Sequence, residues 1–420
     1  MYKKKKNILD IDNLIFIVGV TSSIVLLRVN SISFFKWTVI LLVICLFIKM
    51  FKNNEIVINK IDYNYLLIYF VKIFTVIGAL YYGWSSSWKK AALVQIIWFT
   101  LYAMVCFFQS IFSQKTIDIF RKGIIISIII QINWSLFQYI LWKINGIDIN
   151  KLIFSDILGM ISEASKFKYG ELSVSGLAWH PINMAPILIL GYCVFKKWYV
   201  RVLIFAIGVI TNNSTVLIGL TVCLVLDLFF SFSMKKIVLK RKHIVSLFII
   251  ILVGILVIFK TDIIEKLISN FIFLYERLTG KFYDGGSTAA HIRYYMSLPD
   301  IFRMSSVYKI LFGYGDGCSG YVMGTLFNQY TDIGSWAIEC DIVNILVSNG
   351  LIGFIFFYYW LFKIAISGKK IDKYYFIFII SIIICGVTYN VQYDWVIVLE
   401  MFLAFSIKLN YNFFSLKFRN

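Results

Sequence analysis

One connection of this chain, residues 260–341, gathers ionisable side chains between two apolar flanks. It contains His291, Arg293 and Glu339, together with a glycine-rich turn over residues 313–317. Carboxylates and imidazoles transfer protons, and the planar guanidinium of arginine suits phosphate oxygens. These residue types predict a polar reaction chamber set on the face of a membrane bundle.

A helix within this connection presents two candidate residues. It is predicted to begin at Ser287 and to end before Pro299. His291 and Arg293 are two residues apart on this helix, so they cannot share a face. We favour Arg293 for function, because its permanently charged fork can bind phosphate oxygens in pairs. His291 is kept as a candidate for substrate binding.

The end of the connection carries acidic and polar residues into the next apolar segment. Asp341, Asn344 and Ser348 are spaced three and four residues apart, which gives an otherwise apolar helix one polar face. Such a face usually borders a cavity or the bundle interior. Glu339 precedes it at the surface. Gly313 and Gly315 are further candidates, because glycine allows close approach of the backbone to a ligand.

A second candidate group lies where another apolar segment begins, at residues 180–183. Pro181 suits the first turn of a helix, so His180 and Asn183, three residues apart, share one face. This pair could bind a polar substrate or transfer a proton. The alternative is that His180 only satisfies backbone groups at the start of the helix.

The composition indicates the solvent in which these residues work. Of 420 residues, 60% are hydrophobic and 15% charged, and the mean hydropathy is +0.82. A soluble protein has about a quarter charged residues, so an all-α polytopic membrane protein is predicted, with lipid as its partner. About twelve apolar segments are long enough to be considered as crossings: 14–29, 34–51, 61–82, 91–112, 123–142, 181–195, 198–210, 214–232, 243–260, 342–362, 374–390 and 395–410.

The basic excess follows from topology. The formal charge is +19, from 41 Lys and Arg against 22 Asp and Glu, and the basic residues concentrate in alternate connections. This bias marks cytoplasmic loops and removes the reason to expect nucleic acid. It predicts cytoplasmic termini, nine spans within 1–259, an extracytoplasmic loop with short helices over 260–341, and three spans within 342–420. Lys72 lies within a span and needs an anionic partner, for which Glu400 is a candidate.

The order of these features resembles the O-antigen polymerase and ligase superfamily, which comprises the Wzy-type polymerases and the O-antigen ligases. The likeness runs through His180-Pro-Ile-Asn183 after a glycine, an Arg then a Pro in the long loop, and a Gly-x-Gly turn. It ends with Glu339-Cys340 and then Gly350-Leu-Ile-Gly353. The ligases usually carry His-Asn in place of Glu339-Cys340, and Ser-Arg in place of Ser214-Thr215. Both departures favour the polymerases.

This resemblance implies glycosyl transfer between undecaprenyl-diphosphate-linked oligosaccharides, as donor and acceptor, on the outer face of a bacterial plasma membrane. Arg293 would stabilise the diphosphate as it leaves, with Arg277 or Arg303 as substitutes. A flippase and a chain-length regulator are the expected protein partners.

The chemistry of this transfer also requires a proton acceptor. The acceptor hydroxyl must lose its proton, and Glu339 is the first candidate base, followed by Asp341 and His180. No His or Cys cluster has metal-ligand spacing, so we expect neither metal nor cofactor. Cys318 and Cys340 lie in the outer loop, either bridged or free.

Three alternatives to the polymerase remain open at the level of sequence. The first is an O-antigen ligase that transfers the glycan to another acceptor. The second is a transporter that flips the same lipid-linked oligosaccharide, although the sequence lacks the paired repeats typical of transporters. A receptor or assembly protein without catalysis is a third.

Overall fold

The computed structural model describes residues 11–29, 32–53, 55–59, 70–77, 114–162, 164–168, 170–233, 287–315, 318–326, 338–370, 372–390 and 413–417. The α-helices are α1 Ile11–Thr21, α2 Phe34–Asn53, α3 Gln114–Asn145, α4 Met184–Val194, α5 Trp198–Ile210, α6 Ser214–Ser233, α7 Ser287–Met304, α8 Val307–Phe312, α9 Ser319–Leu326, α10 Asp341–Lys369 and α11 Lys373–Cys385. A π-helix covers Lys151–Ile157, and a 3-10 helix over Pro181–Asn183 leads into α4. Residues 70–77 are also helical.

Short strands form three antiparallel pairs within these ranges. They are β1 Arg28–Val29 with β2 Ile32–Ser33, β3 Glu55–Asn59 with β6 Phe413–Lys417, and β4 Lys166–Lys168 with β5 Glu171–Ser173. The sequence did not predict these strands. Their small size leaves the described chain mostly helical.

Three of the described helices are long and apolar enough to cross a membrane, at Asp118–Asn145, Ser214–Ser231 and Asp341–Lys363. Large apolar side chains on these helices are exposed, for example Phe229 and Ile355. Soluble proteins rarely expose such surfaces in contiguous patches. The fold is therefore that of a helical membrane protein, as the composition predicted.

Several predicted crossings coincide with helices, although some of these helices are short. The segments 34–51, 198–210 and 214–232 match α2, α5 and α6. At about 1.5 Å per residue, the 13 residues of α5 or α11 reach about 20 Å, short of a hydrocarbon core of about 30 Å. The segments 91–112, 243–260 and 395–410 lie outside the described residues, so the count of twelve stays a prediction.

The predicted end of α7 is wrong. The helix continues through Pro299 to Met304, although proline removes a backbone donor and usually ends a helix. Tyr294 and Ile301, on either side of the proline, are both almost fully buried. Packing of this face on the neighbouring elements therefore outweighs the local cost of the proline.

A buried ion-pair network closes one end of the helix bundle. Asp227 of α6 accepts hydrogen bonds from Arg201 Nη1 at 2.7 Å and from Lys373 Nζ at 2.6 Å. Tyr192 and Tyr374 donate to the same carboxylate at 3.3 and 3.4 Å. These five residues, called the Asp227 cluster below, join α4, α5, α6 and α11.

The helix α10 is interrupted at Gly350, whose φ of 67° and ψ of −171° lie outside the helical region. The break releases the carbonyls of Val347 and Ser348 from the helical ladder. They accept hydrogen bonds from the backbone N–H groups of Tyr314 and Gly315, both at 2.9 Å. The glycine-rich turn after α8 therefore packs directly on the break and satisfies its free backbone groups.

The break also makes α10 fold back on itself. Its first residue donates from Asp341 N to Gly386 O at 2.8 Å, while Gly368 near its other end packs on Tyr375. A straight helix from 341 to 368 would be about 41 Å long, whereas α11 covers about 17 Å between 375 and 386. Both contacts are possible only if the two halves of α10 meet at a sharp angle.

Replacing Gly350 with Ala should destabilise the protein by about 3 kcal/mol. A left-handed residue costs about 1 kcal/mol, and overpacking adds about 2, because the new Cβ would lie 2.4 Å from the Leu311 carbonyl. Gly146→Ala is the matched control, since Gly146 has φ +64 and nothing within 4 Å of an added Cβ. Chemical denaturation in one detergent gives both values. Equal losses would argue against a tightly packed break.

Candidate active site

Two histidines and one carboxylate meet at the end of the bundle opposite the Asp227 cluster. Nε2 of His291, on α7, lies 3.1 Å from Oε2 of Glu339, which precedes α10. His180, which precedes the 3-10 helix, is close enough for its charge to act on Glu339. These three residues, called the histidine cluster below, come from three separate parts of the chain. The sequence placed each of them in a candidate site.

The environment of Glu339 favours its ionised form. The hydrogen bond with His291 lowers the pKa of the Glu339 carboxyl, burial opposes this shift, and the charges of His291 and His180 lower it further. The Glu339 side chain is 59% exposed, whereas that of His291 is only 12% exposed. A carboxylate that is ionised and open to solvent can accept a proton from an incoming hydroxyl.

The predicted capping role of His180 is not observed. Its backbone is extended, and its side chain makes no hydrogen bond to the start of the following helix. Asn183, three residues on, donates from Nδ2 to Tyr389 OH at 2.6 Å. Asn183 therefore binds Tyr389, whereas the charge of His180 acts on Glu339, although both residues lie at the start of the same helix.

A turn after α11, residues 386–390, organises the neighbours of the histidine cluster. Its Gly386 carbonyl holds Asp341 N, its Val387 carbonyl accepts from Tyr295 OH at 2.8 Å, and Asn390 donates from its side chain to the Ile338 carbonyl. Asp341 is 1% exposed. Burial, and then the charges of Cys340 and Asp341, raise the pKa of the Tyr295 hydroxyl.

Sequence reasoning missed this turn, because it placed residues 374–390 within one span. Thr388, Tyr389 and Asn390 were the available signal, since three polar side chains in succession are unusual inside an apolar run. Thr388 also pairs with Thr215 through their hydroxyls at 2.8 Å. The turn therefore links α6, α7 and α10 to the site.

Asn344 takes part in a buried network of hydroxyls. Its Oδ1 accepts from Ser319 Oγ at 2.5 Å and from Ser348 Oγ at 3.2 Å, and Ser319 Oγ also accepts from Ile338 N at 3.1 Å. The polar face predicted on this helix therefore packs on α9. This network fixes the backbone just before Glu339.

The predicted arginines are spread more widely. Arg293 is exposed on the side of α7 away from His291, so the argument about helix faces is correct. Arg303 is also exposed and lies 3.9 Å from Asp300 of its own helix. Arg277 lies outside the described residues. The assignment of phosphate binding to Arg293 stays a prediction.

Gly313 and Gly315 lie against the broken helix. An added Cβ at Gly313 would approach the Ser348 carbonyl oxygen to 2.3 Å, so its backbone is in close contact with α10. This contact accounts for the glycine at position 313 without a ligand. The predicted substrate contact of both glycines stays a prediction.

Polar side chains of α3 hold the backbone that leads to His180. Gln138 Oε1 accepts from the N–H groups of Ser175 and Gly176 at 3.2 and 3.1 Å. Gln131 Oε1 accepts from Leu177 N at 2.8 Å, and its Nε2 donates to Ser23 O at 2.6 Å. Irregular backbone buried among helices needs such partners, so these glutamines fix the approach to the site.

Replacing Gln131 with Leu should lower the free energy of unfolding by about 2–4 kcal/mol. The change leaves Leu177 N and Ser23 O, both buried, without their side-chain partner. Asn133→Leu is the control on the same helix, because Asn133 is exposed and donates only to the Ile129 carbonyl of its own turn. Denaturation of both variants in one detergent measures the difference, and a neutral Gln131→Leu would contradict the proposed support.

Lys72 is 2% exposed and lies beside the helix break. Its Nζ donates to Asn349 Oδ1 at 3.5 Å, and Asn349 Nδ2 donates to Thr75 Oγ1 at 3.2 Å. Glu400, the predicted partner of Lys72, lies outside the described residues. The carbonyl end of the first half of α10 provides negative potential at this position.

The remaining candidates concern metals and thiols. Over the described ranges, no group of three or more His, Cys, Asp and Glu residues is arranged to hold a metal ion. Cys318 and Cys340 are both buried and neither forms a disulfide bond, so the bridged alternative is not observed. Burial, and then the charges of Glu339 and Asp341, raise the pKa of Cys340 to about 12.

No family model matches the chain, and no curated protein matches its sequence.

Proposed function

We propose that this chain polymerises undecaprenyl-diphosphate-linked oligosaccharides, as the Wzy-type polymerases of the O-antigen polymerase and ligase superfamily do. The observation that supports the proposal is the His291–Glu339 pair, with His180 beside it, at one end of an apolar helix bundle. Such an arrangement can deprotonate a sugar hydroxyl brought to the membrane by a lipid anchor.

In the proposed reaction Glu339 acts as the base. Its Oε2 is occupied by His291, so Oε1 is the oxygen available to the acceptor hydroxyl. The hydroxyl proton passes to Glu339 as the acceptor oxygen bonds to the anomeric carbon of the donor sugar. The bond from that carbon to the lipid diphosphate breaks, and the diphosphate leaves with the electron pair. His291 positions the carboxylate and keeps it ionised.

The leaving diphosphate requires a cation, because negative charge develops on its oxygens. Arg293 is the candidate predicted from the sequence. Its side chain is exposed, on a different face of α7 from His291. A substrate bound across this end of α7 would touch both faces of the helix. We expect no metal in this step, so excess chelator should leave the reaction unchanged.

The proposal includes an orientation in the membrane. The Asp227 cluster lies near Lys196 and Lys369, in the connections whose basic residues predict the cytoplasmic side. The histidine cluster would then face the extracytoplasmic side of a bacterial plasma membrane.

The test is reconstitution of the purified full-length protein in liposomes. The substrate is the lipid-linked oligosaccharide extracted from a deletion strain of the source organism. A ladder of products with several repeat units is expected in the presence and in the absence of chelator. Failure to elongate this substrate, with protein that is folded and monodisperse, would overturn the proposal.

A second candidate function, a flippase for the same lipid-linked oligosaccharide, is favoured by the break in α10. Transporters often place broken helices and buried charged residues at the substrate site, and Gly350 with Lys72 resembles this arrangement. In cells that lack the protein, a missing polymerase leaves single repeat units on the outer leaflet, whereas a missing flippase leaves them on the inner leaflet. Labelling of surface sugars on intact cells distinguishes these two outcomes.

A further inference from the structure

An arginine outside the predicted site stacks on the residue next to His180. Cζ of Arg28, on β1, lies 4.5 Å from the centroid of the Trp179 ring. Its Nε makes one long hydrogen bond, to the Val25 carbonyl at 3.4 Å. Within the described part of the chain, Arg28 forms no salt bridge with a carboxylate. The guanidinium is half-buried, and burial lowers the pKa of Arg28.

Backbone hydrogen bonds hold the segment of Arg28 beside the segment that leads to His180. The N–H groups of Val25 and Leu26 both donate to the Leu177 carbonyl, at 2.9 and 3.1 Å. The segment that carries Arg28 therefore runs beside the segment that carries Trp179 and His180. Trp179 directly precedes His180 in the chain, so the ring on which Arg28 stacks belongs to the residue next to the histidine.

A second cation, Lys36, and the start of α2 lie close to Arg28. Lys36, in the first turn of α2, is within electrostatic reach of Arg28. Phe34 N, at the start of α2, donates to the Leu27 carbonyl at 2.8 Å, which ties the helix to β1. The N-terminus of a 20-residue helix adds positive potential. Positive charges and a helix start that lie close together favour the binding of an anion.

We infer that Arg28 and Lys36 bind a lipid-borne phosphate group, with the Trp179 ring holding the guanidinium in place. Arginine stacked on an aromatic ring keeps its edge free for oxygen ligands. The neighbouring His180 favours the diphosphate of the glycosyl donor as the source of this group. This part rests on the proposed function. The phosphate of an anionic phospholipid is the other source of the same chemistry.

Binding of radiolabelled undecaprenyl diphosphate to the full-length protein in neutral nanodiscs tests this inference without any turnover. Arg28→Gln should weaken binding at least tenfold, and Arg28→Lys should weaken it less, because it keeps the charge and loses the fork. Undecaprenol, which lacks phosphate, should bind wild type and Arg28→Gln equally. Lys151→Gln, which removes an exposed cation that has no part in the proposed site, is the matched control and should bind like wild type.

The competing outcomes separate the possible sources. Unchanged binding of undecaprenyl diphosphate by Arg28→Gln and by Lys36→Gln would overturn the inference, even if the liposomes elongate glycans. If Arg28→Gln loses binding of phosphatidylglycerol but keeps binding of undecaprenyl diphosphate, the assignment to the glycosyl donor is overturned. A tenfold loss of diphosphate binding in a protein that does not polymerise would support the site and reject only the proposed function. Thermal unfolding of each variant shows that it is folded.

Discussion

Glu339→Gln is expected to reduce the rate of glycan elongation by about 10²–10⁴-fold, the usual contribution of a positioned base. The substitution keeps the shape of the side chain and its contact with His291, but the amide cannot accept the proton of the acceptor hydroxyl. The rate is measured as loss of single repeat units in liposomes of equal protein content.

Asp300→Asn is the matched control for this variant. Asp300 is also an exposed carboxylate of the same connection, 59% exposed like Glu339, and it pairs only loosely with Arg303 at 3.9 Å. Its loss should leave elongation within twofold of wild type. If Glu339→Gln elongates glycans as fast as Asp300→Asn, then Glu339 is not the base.

The role of His291 has a separate signature in the pH profile. The hydrogen bond from His291 is the largest cause of the low pKa of Glu339, so the carboxylate stays ionised as pH falls. His291→Leu removes this bond and should raise the pKa of Glu339. Because the base must be ionised, the acid limb of the elongation rate should move to higher pH. If the acid limb of His291→Leu lies at the same pH as that of wild type, His291 does not act through Glu339.

The sequence predicted the residue types of the site better than their orientation. Spacing showed that His291 and Arg293 lie on different faces of α7, and the structure agrees. Which face turns towards Glu339 depends on the burial of Tyr294 and Ile301 against other elements. A single sequence does not contain that information, so the choice of Arg293 over His291 rested on chemistry alone.

The apolar pattern located helices but could not locate the break in one of them. The segment predicted at 342–362 is apolar apart from one polar face, and its Gly350 looks like a tolerated small residue. The break depends on Leu311 and on the turn at Tyr314, about forty residues earlier in the chain. Contacts of this separation arise from packing, which local hydropathy does not report.

Asp227→Asn should destabilise the protein by about 3–5 kcal/mol, the usual result of removing one partner of a buried ion pair. The side chains of Asp227 and Arg201 are 12% and 13% exposed, so the loss leaves Arg201 and Lys373 facing each other without a counter-charge. Denaturation in one detergent measures the change. Asp372→Asn is the control, because its pair with Lys196 is exposed and contributes about 0–1 kcal/mol.

Asp227→Asn should change the stability of the protein without changing its catalysis. Residues 181–194 rise about 20 Å between the histidine cluster and the Asp227 cluster, so the elongation rate per folded molecule should not change in Asp227→Asn. Pairing it with Arg201→Met removes the more deeply buried of the two uncompensated charges and should recover most of the lost stability, because buried ion pairs can be replaced by apolar residues of similar volume. A double variant no more stable than Asp227→Asn would mean that Arg201 stabilises the bundle chiefly through its bonds to the Tyr192 and Phe195 carbonyls, and not through its charge.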